Sequence, residues 1–286
     1  MDQRIIDLYD EYTHAPIERR VFIKRLTALA GSTAGAMAAL PLLESNYAFA
    51  ATVPPNDARI EAGHVAYAGA SGAIRAYRAR PKGAAKLPAV VVIHENRGLT
   101  PHIEDVARRA AIEGFVVLAP DLLSPLGGAP ADEDAARQLF AKVNPATALA
   151  DLVAGVSYLK TSADVSGKIG CIGFCWGGGM ANNLAVNLPE LAAAVPFYGI
   201  QPATADVPKI RAKLLLHYAS NDDRVNAGVP AYEAALKAAG VSYTKHVYEG
   251  TQHAFHNDTA GARYNKEAAE LAWRRTVEFL RATLGA

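Results

Sequence analysis

Cysteine is nearly absent from this chain: 286 residues carry only Cys171 and Cys175. Two thiols four residues apart make no disulfide framework. In an extended segment they lie too far apart for a bridge, which needs Cα atoms within about 7 Å. At least one is therefore expected as a free thiol. A charge excess is also missing. The formal net charge is +1, which excludes the basic balance of a nucleic-acid binder. Long unbroken apolar runs are missing too. The stretch Leu26–Leu43 is interrupted by Gly31, Ser32, Thr33, Gly35 and Pro41, which makes it a poor stable membrane span. No internal repeat is present. What remains is ordinary globular composition, 51% apolar and 20% charged.

The first fifty residues read as an address. Arg19-Arg20-Val21-Phe22-Ile23-Lys24 resembles the twin-arginine export motif, a weakly apolar Ala/Gly-rich run follows, and Ala48-Phe49-Ala50 has the small-x-small pattern of a cleavage site. The expectation is a twin-arginine-type signal over residues 1–50, removed after Ala50, with the protein in a periplasm or outside the cell. An ordinary helix or an uncleaved anchor, with a cytoplasmic or membrane-held protein, is the alternative. The acidic leader from Asp2 to Glu18 is atypical of such signals. Residues 51–286 then form one domain, long enough at about 235 residues for a well-buried core.

Within that domain two short strands, His64–Ala68 and Ala73–Arg80, flank Gly69-Ala70-Ser71-Gly72 as an antiparallel pair. Ala89–His94 and Phe115–Ala119 are continuous apolar runs, as in strands buried on both faces. Lys168–Phe174, Ala192–Tyr198, Ala212–Tyr218 and Ser242–Tyr248 complete the strands. Helical spacing marks Pro101–Glu113, Asp132–Val143, Ala146–Lys160, Trp176–Asn187, Val229–Ala239 and Arg263–Leu284. This alternation predicts an α/β fold, a mainly parallel central sheet with helices on both faces. Right-handed crossovers place the loops after the strand C-termini on one rim.

Gly173-Phe174-Cys175-Trp176-Gly177-Gly178 falls where a strand turns into a helix. It is a G-x-S-x-G nucleophile elbow with cysteine in place of serine. Glycines two before and two after the nucleophile permit a strained turn and a close strand–helix approach. The turn aims the Trp176 backbone N–H at an incoming carbonyl oxygen, and the helix start favours a thiolate. A buried structural thiol is the alternative for Cys175; Cys171, inside the strand, reads as core. In this chain order the acid follows a later strand and the histidine follows the last one. Asp222 is the expected acid, because Val225 stands three positions after it; Asp223 competes. His253 is the expected base, with His256 as runner-up. The spacing His253-x-x-His256 lacks a third ligand cluster, so neither a metal nor a cofactor is expected.

Together these segments resemble the dienelactone hydrolase family (carboxymethylenebutenolidases), of α/β-hydrolase fold. The resemblance covers nearly all of residues 51–286, through Ile93-His94-Glu95-Asn96-Arg97-Gly98, Ala119-Pro120-Asp121-Leu122, the Cys175 elbow, Asp222 and His253. It implies that Glu95 contacts the nucleophile in the resting enzyme, and that the backbone N–H groups of Asn96 and Trp176 form the oxyanion hole. It also implies a small ester or lactone substrate. Two departures argue against dienelactone itself. The family's arginine in the helix after Pro-Asp-Leu falls at Ala136 here, beside Arg137, and its arginine four residues after the histidine is Asn257. Arg97 and Arg137 are the remaining candidates for an anionic substrate group. A non-catalytic binding protein of the same fold, or a hydrolase of thioesters, peptides or polyesters, are the competing readings.

Overall fold

A computed structural model describes residues 1–46, 52–130 and 132–285. Eight strands form one sheet: β1 (Ile60–Gly69), β2 (Gly72–Pro81), β3 (Leu87–Ile93), β4 (Val116–Pro120), β5 (Val165–Phe174), β6 (Ala193–Phe197), β7 (Lys213–Asn221) and β8 (Tyr243–Gln252). Their spatial order is β1-β2-β4-β3-β5-β6-β7-β8. The β1–β2 and β2–β4 pairings are antiparallel and all others parallel. This is the α/β-hydrolase fold expected from the alternation of strands and helices.

The core lies in two layers, one on each face of the sheet. Along β3, Ala89, Val91 and Ile93 pack into one layer while Val90 and Val92 pack into the other, which is why the strand reads as a continuous apolar run. Helices α6 (Pro145–Thr161), α7 (Trp176–Asn187) and α9 (Val229–Ala239) cover the first face. Helices α4 (Pro101–Ile112) and α10 (Lys266–Leu284) cover the second. Two short helices, α5 (Glu133–Phe140) and α8 (Asp223–Asn226), sit on the rim above the strand C-termini.

Residues 1–46 are the departure from an address alone. They fold as three helices, α1 (Gln3–His14), α2 (Arg19–Ala30) and α3 (Thr33–Leu43), with a small core of their own. Ile5, Ile6, Leu8, Tyr9 and Tyr12 line the buried face of α1, and the Tyr12 ring stacks on Phe22 at 4.2 Å between centroids. The acidic leader has structural duties in this cap. Asp2 accepts the Arg4 N–H at the start of α1, and Glu11 pairs with Arg25 of α2. No single helix among the described residues is long and apolar enough to cross a membrane; the pair α2 and α3 reaches that composition only with a 111° bend between its halves. The Ala48-Phe49-Ala50 pattern lies outside the described residues.

The cap is fastened to the rim by several contacts. Arg137 of α5 lies over the Tyr12 ring at 4.4 Å, and its Nη2 donates to the Ile17 carbonyl. Tyr12 and Arg19 both donate to Asp134. Arg263 sits over the Tyr9 ring at 4.9 Å, and Asn96 Nδ2 donates to the Thr13 carbonyl at 2.9 Å.

Candidate active site

The crest of the β5–α7 turn carries Cys175 with φ 56° and ψ −117°. That is a left-handed conformation rarely tolerated by a side-chain-bearing residue, and such strain concentrates at functional positions. The flanking glycines make it possible. A Cβ on Gly173 would stand 2.0 Å from the Gly177 carbonyl oxygen, and one on Gly177 would stand 2.4 Å from the carbonyl oxygens of Ile93 and His94. Strand and helix therefore meet backbone to backbone, and the elbow pattern in the sequence has a steric origin.

The loop after β7 supplies Asp222 and the loop after β8 supplies His253. Asp222 is 5% exposed, and its Oδ2 accepts from His253 Nδ1 at 2.6 Å. Asp222 Oδ1 also accepts the Val225 N–H, the helix-capping contact that holds the carboxylate in place. Asp223 is exposed at the start of α8. His256 is buried behind the site, in ring contact with Phe174, Phe197 and His102. His253 Nε2 faces the sulfur within 4.8 Å but makes no hydrogen bond.

The imidazole bonded to the sulfur comes from the cap. His14, the last residue of α1, places Nε2 3.1 Å from Cys175 Sγ, and its ring meets the His253 ring edge-on at 4.7 Å. Its Nδ1 is 2.8 Å from the Asp10 carbonyl and 3.2 Å from the Asp10 carboxylate. Burial would raise the Cys175 thiol, but the charges of His14 and His253 outweigh it and bring the thiol down to about 6. Burial works against a charged His253 as well, yet Asp222, the thiolate and Asp10 together lift it well above its ordinary value. The two imidazoles thus favour the thiolate form of Cys175, and the thiolate in turn favours protonation of the rings. Cys171, in the core, is the opposite case, pushed by burial up to about 12. Both cysteines are free.

Glu95, after β3, faces the same cavity. Its Oε2 accepts from Asn257 Nδ2 at 2.7 Å and its Oε1 from the Tyr198 hydroxyl at 3.5 Å. Asn257 is in turn held by the backbone N–H and hydroxyl of Thr259. So the asparagine standing where the family has an arginine serves to orient Glu95. Asn96 follows Glu95 on the rim, opposite Trp176 at the α7 start, which leaves both residues beside the sulfur-bearing crest. Arg97 is buried along this cavity and donates to Asn96 Oδ1 at 2.7 Å. Arg137 is elsewhere: the cap takes it up, stacked under Tyr12, and it does not line the cavity around Cys175. While the cap is docked, Arg137 is thus not placed for the substrate-anion role expected of it.

The cavity at the sulfur holds about 30 Å³. That is space for a water, whose minimum is about 10–15 Å³, but far below the roughly 300 Å³ of a small-molecule pocket. A larger hollow of about 520 Å³ lies against α1 and reaches Asp222 and His253.

Fold and site together define an α/β-hydrolase-fold protein with a cysteine at the nucleophile position. The Dienelactone hydrolase family model matches residues 74–284, and the chain belongs to that family. A second model, YqhI-like, matches residues 1–31, which span α1 and α2. The chain is 34% identical over 244 residues to a Saccharolobus solfataricus protein named "Putative carboxymethylenebutenolidase", covering 73% of this chain and 93% of that one. It is 48% identical over 113 residues to the Escherichia coli "Putative hydrolase fragment YghX", covering 38% of this chain and 97% of that one. Among solved structures it resembles a "Putative Dienelactone Hydrolase" from Klebsiella pneumoniae, with TM-score 0.70, 30% identity and coverage of 79% and 98%.

Proposed function

We propose that this dienelactone-hydrolase-family protein cleaves small carboxylic esters or lactones through a Cys175–His253–Asp222 triad and a thioester intermediate. One observation carries the reading: Cys175 holds a strained crest conformation beside an imidazole that is itself hydrogen-bonded to a buried carboxylate at 2.6 Å. A merely structural cysteine requires neither.

In the proposed cycle the Cys175 thiolate adds to the acyl carbon, and the oxyanion is received by the backbone N–H groups of Asn96 and Trp176. The tetrahedral adduct collapses as His253 gives its Nε2 proton to the departing alkoxide, leaving a thioester. His253 then takes a proton from water, the hydroxide adds to the thioester carbon, and the thiolate leaves as the acid forms. Asp222 keeps the imidazole in the tautomer that presents Nε2 to the sulfur. Glu95, held by Asn257 and Tyr198, orders the cavity beside the thiol. His14 stands 3.1 Å from the sulfur and the cavity there holds only about 30 Å³, so turnover requires the end of α1 to withdraw.

The twin-arginine motif at Arg19-Arg20 supports export, and cleavage after Ala50 would remove His14 together with the cap. The family and the complete residue set favour a hydrolase over a non-catalytic binding protein. A panel of p-nitrophenyl esters and lactones, assayed with chelator present, tests the reading. Turnover by the wild type that vanishes in Cys175→Ala supports it. Equal turnover in Cys175→Ala, or none by the wild type and by cap-loosened Tyr12→Ala, rejects it.

A further inference from the structure

We propose that His14, Cys175 and His253 form a binding site for one soft divalent cation of the zinc type, which closes the nucleophile. Three ligand atoms, Sγ of Cys175 and one ring nitrogen of each histidine, lie within 4.8 Å of one another. Ligands around a tetrahedral zinc ion at about 2.0–2.3 Å stand some 3–4 Å apart. The 3.1 Å between Cys175 Sγ and His14 Nε2 already has that spacing, and a small movement of His253 completes it.

The surroundings are those of a metal site rather than of a chance cluster. Metal-bound histidines usually give their other ring N–H to an oxygen, which fixes the tautomer and leaves the second nitrogen free to coordinate. Both histidines do so here. His253 Nδ1 is 2.6 Å from Asp222 Oδ2, and His14 Nδ1 is 2.8 Å from the Asp10 carbonyl. His253 Nε2 is buried and makes no hydrogen bond of good geometry, so it is open to a coordinated ion. Charge also closes. One thiolate with Asp222 and Asp10 behind the two rings supplies three negative charges around a dication. The adjoining space of about 30 Å³ admits one water in the fourth position and excludes a larger ligand.

The thiolate and a nitrogen of two neutral imidazoles would each give an electron pair to the ion, and the protons on those atoms would pass to solvent. No redox step is involved. The third ligand comes from the cap, outside residues 74–284 that match the hydrolase family model. The site is therefore a property of the capped chain. Its inhibitory consequence rests on the reading of Cys175 as nucleophile; the binding itself does not.

The test uses the full chain and two probes, Co²⁺ and Zn²⁺. After chelator is removed, Co²⁺ is expected to bind one per chain, with a near-ultraviolet thiolate-to-cobalt band and intense visible bands of a tetrahedral ion. Zn²⁺ should displace it. X-ray absorption of the zinc form should show one sulfur at about 2.3 Å and two histidine nitrogens at about 2.0 Å. His14→Ala and Cys175→Ala should each weaken binding at least tenfold, with circular dichroism reporting their folding. The absorption spectrum of the wild type needs no variant. A missing thiolate band, or binding undiminished in Cys175→Ala, means an adventitious ion only and overturns the proposal. Ester turnover separates the two readings. Cys175-dependent turnover without a thiolate–metal band defeats the metal site alone. A metal site in a chain that never hydrolyses an ester, even with chelator, defeats the hydrolase reading alone.

Discussion

His14 and Cys175 are 161 positions apart in the chain and joined by a 3.1 Å contact between Nε2 and Sγ. The contact makes the N-terminal helix part of the site that the catalytic domain builds. It also makes the accessibility of the nucleophile a measure of cap docking. Tyr12 carries much of that docking, through the Arg137 cation and the Asp134 hydrogen bond, while its stack on Phe22 holds the cap's own core. Tyr12→Ala removes all three, at a combined cost to cap folding and docking of about 3 kcal/mol or more by analogy with buried aromatic truncations. Bulky maleimide labelling of Cys175 should then become at least tenfold faster than in the wild type. An unchanged rate would mean that the cap does not cover the thiol in solution.

Asn257 is expected to act through Glu95. Asn257→Ala leaves one carboxylate oxygen of Glu95 without its 2.7 Å donor. An unpaired polar group of this kind costs about 1–3 kcal/mol. The expected result is a fall in kcat/KM of about tenfold or more with the fold intact. Steady-state kinetics on one activated ester, with and without the substitution, checks it.

Much of this was legible in the sequence, and the reasons differ from residue to residue. The strands were legible because β3 to β7 are buried on both faces, which imposes runs such as Ala89–Ile93. Cys175 was legible because backbone contact at Gly173 and Gly177 excludes a Cβ, leaving a pattern within five residues. Asp222 stood out from Asp223 by its distance to Val225, and the structure puts Asp222, not Asp223, on His253. His14 was not legible. Its partner is remote in sequence, and it stands in a leader just before the Arg19-Arg20 pair, within a stretch that reads as an export signal. The signal that could have revealed it is the helical spacing of Ile5, Leu8, Tyr9 and Tyr12, which a solvent-exposed leader has no need of. The roles of Tyr198 and Asn257 were hidden for a similar reason, since each depends on a contact with Glu95 made only after folding.

Gly173→Ala is expected to be poorly tolerated. Its Cβ would meet the Gly177 carbonyl oxygen at 2.0 Å, and the neighbour is backbone, which cannot rotate away. Overpacking of this kind costs about 1–3 kcal/mol or more. Thermal unfolding should show a Tm several degrees lower, with ester turnover lost even in the fraction that folds. A wild-type Tm would contradict the close approach.

Acid should destabilise the fold through its buried neutral histidines. His217 is sealed under Thr276 and Tyr248, and burial holds it well below its ordinary value. In the unfolded chain it takes up a proton near pH 6.5. Below that pH the unfolded state therefore binds more protons than the folded one, and stability falls as pH falls, by up to about 1.4 kcal/mol per unit for this one group. His253, which is raised, contributes in the opposite direction above pH 6.5, so the comparison must be made between variants. Urea unfolding of His217→Gln between pH 6.5 and 5 should give a shallower slope than the wild type by about that amount. Identical slopes would show that His217 is charged in the folded protein.

The most direct measurement of the central claim is rapid-quench mass spectrometry of the chelated full-length chain during turnover of a p-nitrophenyl ester. The account predicts an acyl group on the peptide that contains Cys175, accumulating before steady state and absent in Cys175→Ala. Turnover with no acylated intermediate, or with the acyl group on a different residue, would contradict it.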